Sequence, residues 1–144
     1  MLSIADLKSK SSRELAALYS AADAGTPLEG DFSGVVLFPG LSFLGRILGA
    51  IATLIWRGKV FDSKKRTLLN RVGCLPVMLS MPGRFGVQKS WFDGKPSNVI
   101  EYPPTSWMFI IFRDELRELR PGLYLGRAHV KFAKSLALHF AIVK

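Results

Sequence analysis

From Trp56 onward, apolar and polar residues exchange in short runs parted by turn residues. That is the pattern of half-buried β-strands rather than helices. The runs predict strands over Trp56–Phe61, Thr67–Val72, Leu75–Met81, Phe85–Phe92, Val99–Tyr102, Trp107–Leu119, Leu123–Val130 and Ser135–Val143. An earlier run, Gly30–Phe38, predicts a first strand that breaks at Pro39-Gly40. Asp93-Gly94 suits a tight hairpin, because both central positions of that turn need positive φ. Pro82-Gly83, Pro103-Pro104 and Pro121-Gly122 mark further interruptions. Many short strands at this spacing predict a small antiparallel β-barrel or sandwich.

Two stretches keep helical spacing instead. Within Ser3–Ala24, the residues Leu15, Leu18, Tyr19 and Ala22 share one face. Ser11 with Glu14 fits a capping box, and Gly25 and Pro27 end the helix. This helix is expected to pack across one end of the sheet, as a brace or as a lid. The most apolar segment is Leu41–Trp56, with Leu44, Ile47, Leu48, Ile51, Leu54 and Ile55 in one stripe. It is shorter than the roughly 20 residues a spanning helix needs, and Arg46 sits inside it. It reads as a short apolar helix, buried or lying at a membrane interface.

The stretch Trp107–Val130 poses the sharpest question. It opens apolar, turns to mixed charge between Arg113 and Glu118, and reverses at Pro121-Gly122. As one strand it puts Phe109, Ile111, Arg113, Glu115 and Arg117 on one face. Met108, Ile110, Phe112, Asp114, Leu116 and Glu118 take the other. Neither face stays apolar beyond Arg113. A bulge, a polar interior or a position at the barrel rim would each resolve the conflict.

Composition narrows the class. A chain of 144 residues suits one domain, with residues 1–25 forming the helix and 30–144 the barrel. The single cysteine, Cys74, leaves no room for a disulfide framework within the chain or a Cys-rich metal site. It is expected as a small, buried or half-buried apolar residue. The net charge is +9, from 20 Lys and Arg against 11 Asp and Glu. The surplus concentrates between Arg57 and Lys89, where Asp62 is the sole acid. Such a stretch attracts anions, including phospholipid headgroups, or simply keeps the surface solvated. Met1–Lys10 is polar and mixed, without the apolar core of a secretory signal. A cytoplasmic location is expected, with membrane association as a further expectation.

Candidate chemistry is sparse. The chain carries no GxxxxGK[ST], GxGxxG, HExxH or GxSxG motif. His129 and His139 fall on neighbouring predicted strands, but two histidines make a poor metal site, so neither metal nor cofactor is expected. His129 with Asp114 or Glu115 could serve as a general acid/base pair on a bound substrate. Aromatics interleave the basic stretch, yet barrel aromatics generally fill the interior, so a nucleic-acid partner is not expected.

Several segments together resemble a known pattern. WRGKVFD at Trp56–Asp62, Asn70, DGKP at Asp93–Pro96, and DELREL with PGLYLGR between Asp114 and Arg127 resemble small lipocalin-like bacterial proteins related in pattern to the GXWXG and DUF4334 families. The resemblance covers Gly30–Lys144. It implies that the aromatic-Gly-Lys strand, the Asn and the DE-x-R hairpin line a compact antiparallel barrel. Pro103-Pro104 and Ala128-His129-Val130 depart from it, and both lie near the expected cavity.

The combined expectation is a mainly β protein: an antiparallel, lipocalin-like barrel with an N-terminal helix and a short apolar helix. Its expected role is binding a hydrophobic small molecule, such as a fatty acid, isoprenoid or polyketide-like compound. Trp56, Trp91, Tyr102, Trp107, Phe109, Ile111 and Tyr124 are the candidate lining. Arg113 or Arg117 would anchor an acidic headgroup. One alternative is an isomerase or cyclase using His129, Asp114 or Glu115 in the same cavity. The other is a peripheral protein binding anionic lipid through Leu41–Trp56 and the basic stretch.

Overall fold

Ser3 and Ser11 each start a helix, so the single helix expected over Ser3–Ala24 is two. In the computed structural model, which describes residues 1–39, 47, 51, 52 and 54–144, these are α1 (Ile4–Lys8) and α2 (Ser12–Ala21). Each begins with a reciprocal capping box, Ser3 with Asp6 and Ser11 with Glu14. Neither helix lies across an end of the sheet. Leu7, Leu15 and Tyr19 instead bury themselves against Leu37, Leu123, Leu125 and Ala141 on the outer wall.

The strands are β1 (Gly30–Leu37), β2 (Trp56–Asp62), β3 (Thr67–Val72), β4 (Met78–Lys89), β5 (Pro96–Glu101), β6 (Phe112–Arg120), β7 (Leu123–Val130) and β8 (Ser135–Val143). They close in sequence order into one antiparallel barrel, with β8 pairing back onto β1. The structure differs from the sequence reading at two strands. Pro82-Gly83 does not separate two strands: β4 runs through it. The register slips there, Leu68 facing Gly83 while Asn70 faces Ser80, so Pro82 sits in a bulge where it owes no ladder bond. The run Trp107–Ile111 forms turns rather than strand, and β6 starts only at Phe112.

A second bulge lies between Trp56 and Gly58 in β2. Strict alternation would point Trp56 into the barrel and Lys59 out. The extra residue resets the parity, so Trp56, Lys59 and Phe61 are all buried and Trp56 and Lys59 both line the interior. Gly58 is required there. Its φ is +139°, and an added Cβ would lie 2.0 Å from the carbonyl oxygen of Phe32.

The barrel has a filled end and an open end. The filled end carries the β2–β3, β4–β5 and β6–β7 turns. There Leu28 plugs the interior, and Phe32 packs edge-on against Phe61 at 5.6 Å and Tyr124 at 5.8 Å. The open end carries the β1–β2, β3–β4, β5–β6 and β7–β8 connections. The apolar helix expected over Leu41–Trp56 lies largely outside the described residues. Of it, Ile47, Ile51, Ala52, Leu54 and Ile55 are helical, and Trp56 begins β2. Among the described residues, no helix is long and apolar enough to cross a membrane.

Candidate functional site

Between the packed lower core and the open end lies a cavity of about 210 Å³. Val36, Ala52, Ile55, Trp56, Phe109, Phe112, Ala128, Leu138 and Phe140 form its apolar wall, and Lys59, Tyr102 and Asp114 bring the polar atoms. Trp56 stands edge-on to Phe140 at 5.4 Å. Gly34 leaves the room Trp56 occupies, since a Cβ there would lie 2.5 Å from its ring.

Lys59 is the centre of the polar floor. Its ammonium donates to the Asn70 side-chain carbonyl at 2.8 Å, the Tyr102 hydroxyl at 2.6 Å and Asp114 Oδ2 at 3.0 Å. The Tyr102 hydroxyl donates a hydrogen bond to the same Asp114 oxygen at 2.6 Å. Asn70 also accepts from the Trp56 indole at 3.0 Å and donates to the Met81 carbonyl, in the β4 bulge, at 2.7 Å. Four aromatic rings lie within about 6 Å of the ammonium, those of Trp56, Tyr102, Phe109 and Phe140. Burial holds the Lys59 pKa below its ordinary value, opposed by the Asp114 charge. Burial, helped by the same carboxylate, pushes the Tyr102 hydroxyl well above its ordinary value.

The donor count decides what this floor can still do. An ammonium has three N–H bonds, and all three of Lys59 are engaged. The Tyr102 proton is engaged too. Both internal contacts to Asp114 use Oδ2. Asp114 Oδ1 accepts no hydrogen bond among the described residues, and its residue lines the cavity. The site therefore offers an incoming molecule an acceptor, not a donor.

The mixed charges of β6 resolve in a way the face count did not include. Phe112, Asp114 and Leu116 point inward, while Arg113, Glu115 and Arg117 point out of the barrel yet are buried. α2 and the β4–β5 turn cover them. Arg117 clasps Asp93 through two bonds of 2.7 and 2.6 Å, and donates to Ser97 at 2.8 Å and to the Tyr19 carbonyl of α2 at 3.0 Å. Arg113 reaches Glu115 at 3.1 Å, Glu101 at 3.2 Å and the Lys89 carbonyl at 2.8 Å. Glu115 also accepts from Ser90 and from the Trp91 amide. Beside them, Arg127 stacks on Phe92 at 3.9 Å. Arg127 Nε and Nη1, His129 Nδ1 and both ring nitrogens of His139 are buried without a hydrogen-bond partner among the described residues. Burial and the nearby positive charge of Arg127 bring the His139 pKa down to about 4.

The structure thus divides the expected site residues. Trp56, Tyr102 and Phe109 line the cavity. Tyr124 faces inward in the filled half and bonds to Thr26. Trp91 lies outside the wall, with Arg113 over its ring at 4.4 Å. Trp107 and Ile111 are exposed on the β5–β6 connection, because the strand that would have turned them inward starts later. Arg113 and Arg117 are on the outer face with their donors engaged, so neither reaches the cavity. Of the acid/base candidates, Asp114 faces the cavity, and His129 and Glu115 do not. Among the described residues, no group of three or more His, Cys, Asp or Glu is placed to hold a metal ion. Cys74, expected to be at least half buried, is exposed. Lys59 and Asn70 enter the sequence reading only through the resemblance, as barrel lining, and not as candidate ligand-binding or catalytic residues. The available signal was a lysine on the strand that Trp56 and Phe61 mark as core, two residues from a glycine that could shift its facing.

These features define a class: a small closed eight-stranded antiparallel barrel with an internal cavity and a buried Lys–Tyr–Asp–Asn floor. A solved structure described as the crystal structure of a protein from Thermomonospora curvata is similar to it. The TM-score is 0.70 over 98% of this chain and 92% of that one, at 17% identity, a likeness of fold alone. No protein-family model matches the chain, and no curated protein sequence matches it.

Proposed function

We propose that the protein binds a small, largely apolar molecule in the open half of the barrel, and that the molecule donates one hydrogen bond to Asp114. The observation that carries this reading is the closed hydrogen-bond circuit around Lys59, which, among the described residues, leaves Asp114 Oδ1 as the free polar atom of an otherwise apolar cavity. A phenol or a short isoprenoid alcohol fits that chemistry. A fatty-acid carboxylate fits it poorly, since it would meet Asp114 with no unengaged cation among the described cavity residues. The volume of about 210 Å³ lies between a roughly 150 Å³ cavity that takes up benzene and the roughly 300 Å³ lower bound of drug-sized pockets. Titration calorimetry with 4-ethylphenol and 4-ethylanisole, alike in shape but differing in the donor, tests the reading. A hydrogen bond to a charged group contributes about 1.5–3 kcal/mol, so the phenol should bind at least about tenfold more tightly. Asp114→Asn should narrow that preference. Equal binding of both compounds would remove the donor requirement, and binding of neither would remove the ligand reading.

A second reading rests on the same oxygen. A carboxylate facing an apolar cavity, fixed by an ammonium and a phenol, is placed to act as a general base on a bound substrate. This would make the protein an isomerase or cyclase. Asp114-dependent deuterium exchange of the α-protons of a bound β,γ-unsaturated ketone, followed by NMR, would support it.

A further inference from the structure

We propose that the open end of the barrel docks onto the surface of an anionic lipid bilayer. Large apolar side chains stand exposed on the connections that surround this end. Leu75 is 94% exposed, Phe132 85% and Trp107 69%, and Met78 continues the rim at the start of β4. They come from the β3–β4, β7–β8 and β5–β6 connections. Ile55, at the end of the β1–β2 connection, is exposed as well. Isolated exposed apolar residues are ordinary, but a ring of them around one end marks a surface that meets something.

Charge identifies the occupant. The four connections at this end, residues 38–55, 73–77, 102–111 and 131–134, contain no Asp or Glu. Their charged residues are Arg46, Lys131 and Lys134, all cations. The chain's acids lie in the strands, at the filled end or in the N-terminal segment. The acid bordering this end, Glu101 at the close of β5, is paired with Lys131 at 3.1 Å. An apolar ring whose own connections carry cations and no acids thus matches the order of a bilayer approached from water, with anionic headgroups outside and acyl chains within. A protein partner of ordinary composition would supply no reason to exclude every acid from four separate loops. The surface also differs from the basic Arg57–Lys89 stretch, whose charges lie along the barrel wall, inside it at Lys59, or on the β2–β3 turn at the filled end.

Docking would have a consequence for the cavity, a step that rests on the ligand reading above. Ile55 is both exposed at the rim and part of the cavity lining. With the rim seated at the headgroup boundary, an apolar molecule would pass between acyl region and cavity without crossing water.

Co-sedimentation of the full chain with phosphatidylcholine vesicles, with and without phosphatidylglycerol, tests the proposal. Binding should require the anionic lipid and weaken as salt is raised. Leu75→Ser with Phe132→Ser should lower binding at least about tenfold, given the apolar area each removes from the contact. Val87→Ser should leave it unchanged, since Val87 is an exposed apolar residue of the barrel wall. Circular dichroism of each variant confirms the fold, which substitutions this exposed should preserve. Absence of vesicle binding would overturn the proposal. So would sedimentation velocity showing a dimer that Leu75→Ser with Phe132→Ser dissolves, which would assign the rim to a second copy. The 4-ethylphenol titration uses no lipid, so failure of docking and failure of the ligand reading are separately visible.

Discussion

Lys59 is buried among aromatic rings with one carboxylate beside it, and that arrangement makes its removal costly in a predictable way. Lys59→Met would fit the space but leave the Asp114 carboxyl without its cation, held by Tyr102 alone, a loss of about 3–5 kcal/mol. Denaturant unfolding should show that loss. Adding Asp114→Leu should recover most of it, because the pair is then replaced by apolar groups together. His139 gives the opposite case, a buried group with no hydrogen-bond partner among the described residues. Its pKa falls from 6.5 to about 4 on folding, so the unfolded chain takes up the proton first as the solution is acidified. The neutral-histidine fold should therefore lose stability as pH falls from 6.5 toward 4. In thermal melts, His139→Leu should flatten that part of the pH profile. At this scale the sequence told half the story. Alternation separated Asp114 from Arg113, Glu115 and Arg117 correctly. Which set faced the cavity depended on α2 and the β4–β5 turn covering the other, and nothing local to β6 encodes that cover.

Among the elements, β2 does the most to build the site. Its bulge turns Lys59 inward, and the bulge depends on a backbone conformation that Gly58 alone adopts comfortably. Gly58→Ala should cost about 1–3 kcal/mol in backbone strain before the contact with the Phe32 carbonyl is counted. It should also dull the response of Trp56 fluorescence to added 4-ethylphenol, because Trp56 flanks the bulge. Equilibrium unfolding and fluorescence titration of the variant check both effects. The elements that were misread share one cause. Pro82-Gly83 and Trp107–Ile111 were judged from local composition, as a break and as a strand. A bulge accommodates the first. The second turns where Ser106 donates its hydroxyl to the Pro82 carbonyl and accepts the Phe109 and Ile110 amides through its own carbonyl. Both outcomes are set by contacts between β4 and the β5–β6 connection, distant in sequence. By contrast β3, β7 and β8 follow their predicted limits.

In the whole molecule, the two ends of one barrel have separated roles. The filled end holds the stabilising aromatic core. The open end holds the cavity, its mouth and the apolar rim. A barrel was legible from strand spacing, and three cavity residues from their aromatic character. The division between ends was not, because it arises from which loops the topology gathers at each pole. The closure of that topology also governs how the site comes into being. Most neighbours in the ladder are joined by short connections and can zip together as successive hairpins. The seam is different: Ser33 meets Val143 and Leu37 meets His139. Bringing such remote segments together carries the largest loop-closure entropy in the molecule, so the seam should form late and slowly. Until it does, Val36 and Phe140 cannot meet across β1 and β8, and the cavity has no wall on that side. Ligand can therefore assist folding only after the rate-limiting step, slowing unfolding rather than speeding refolding.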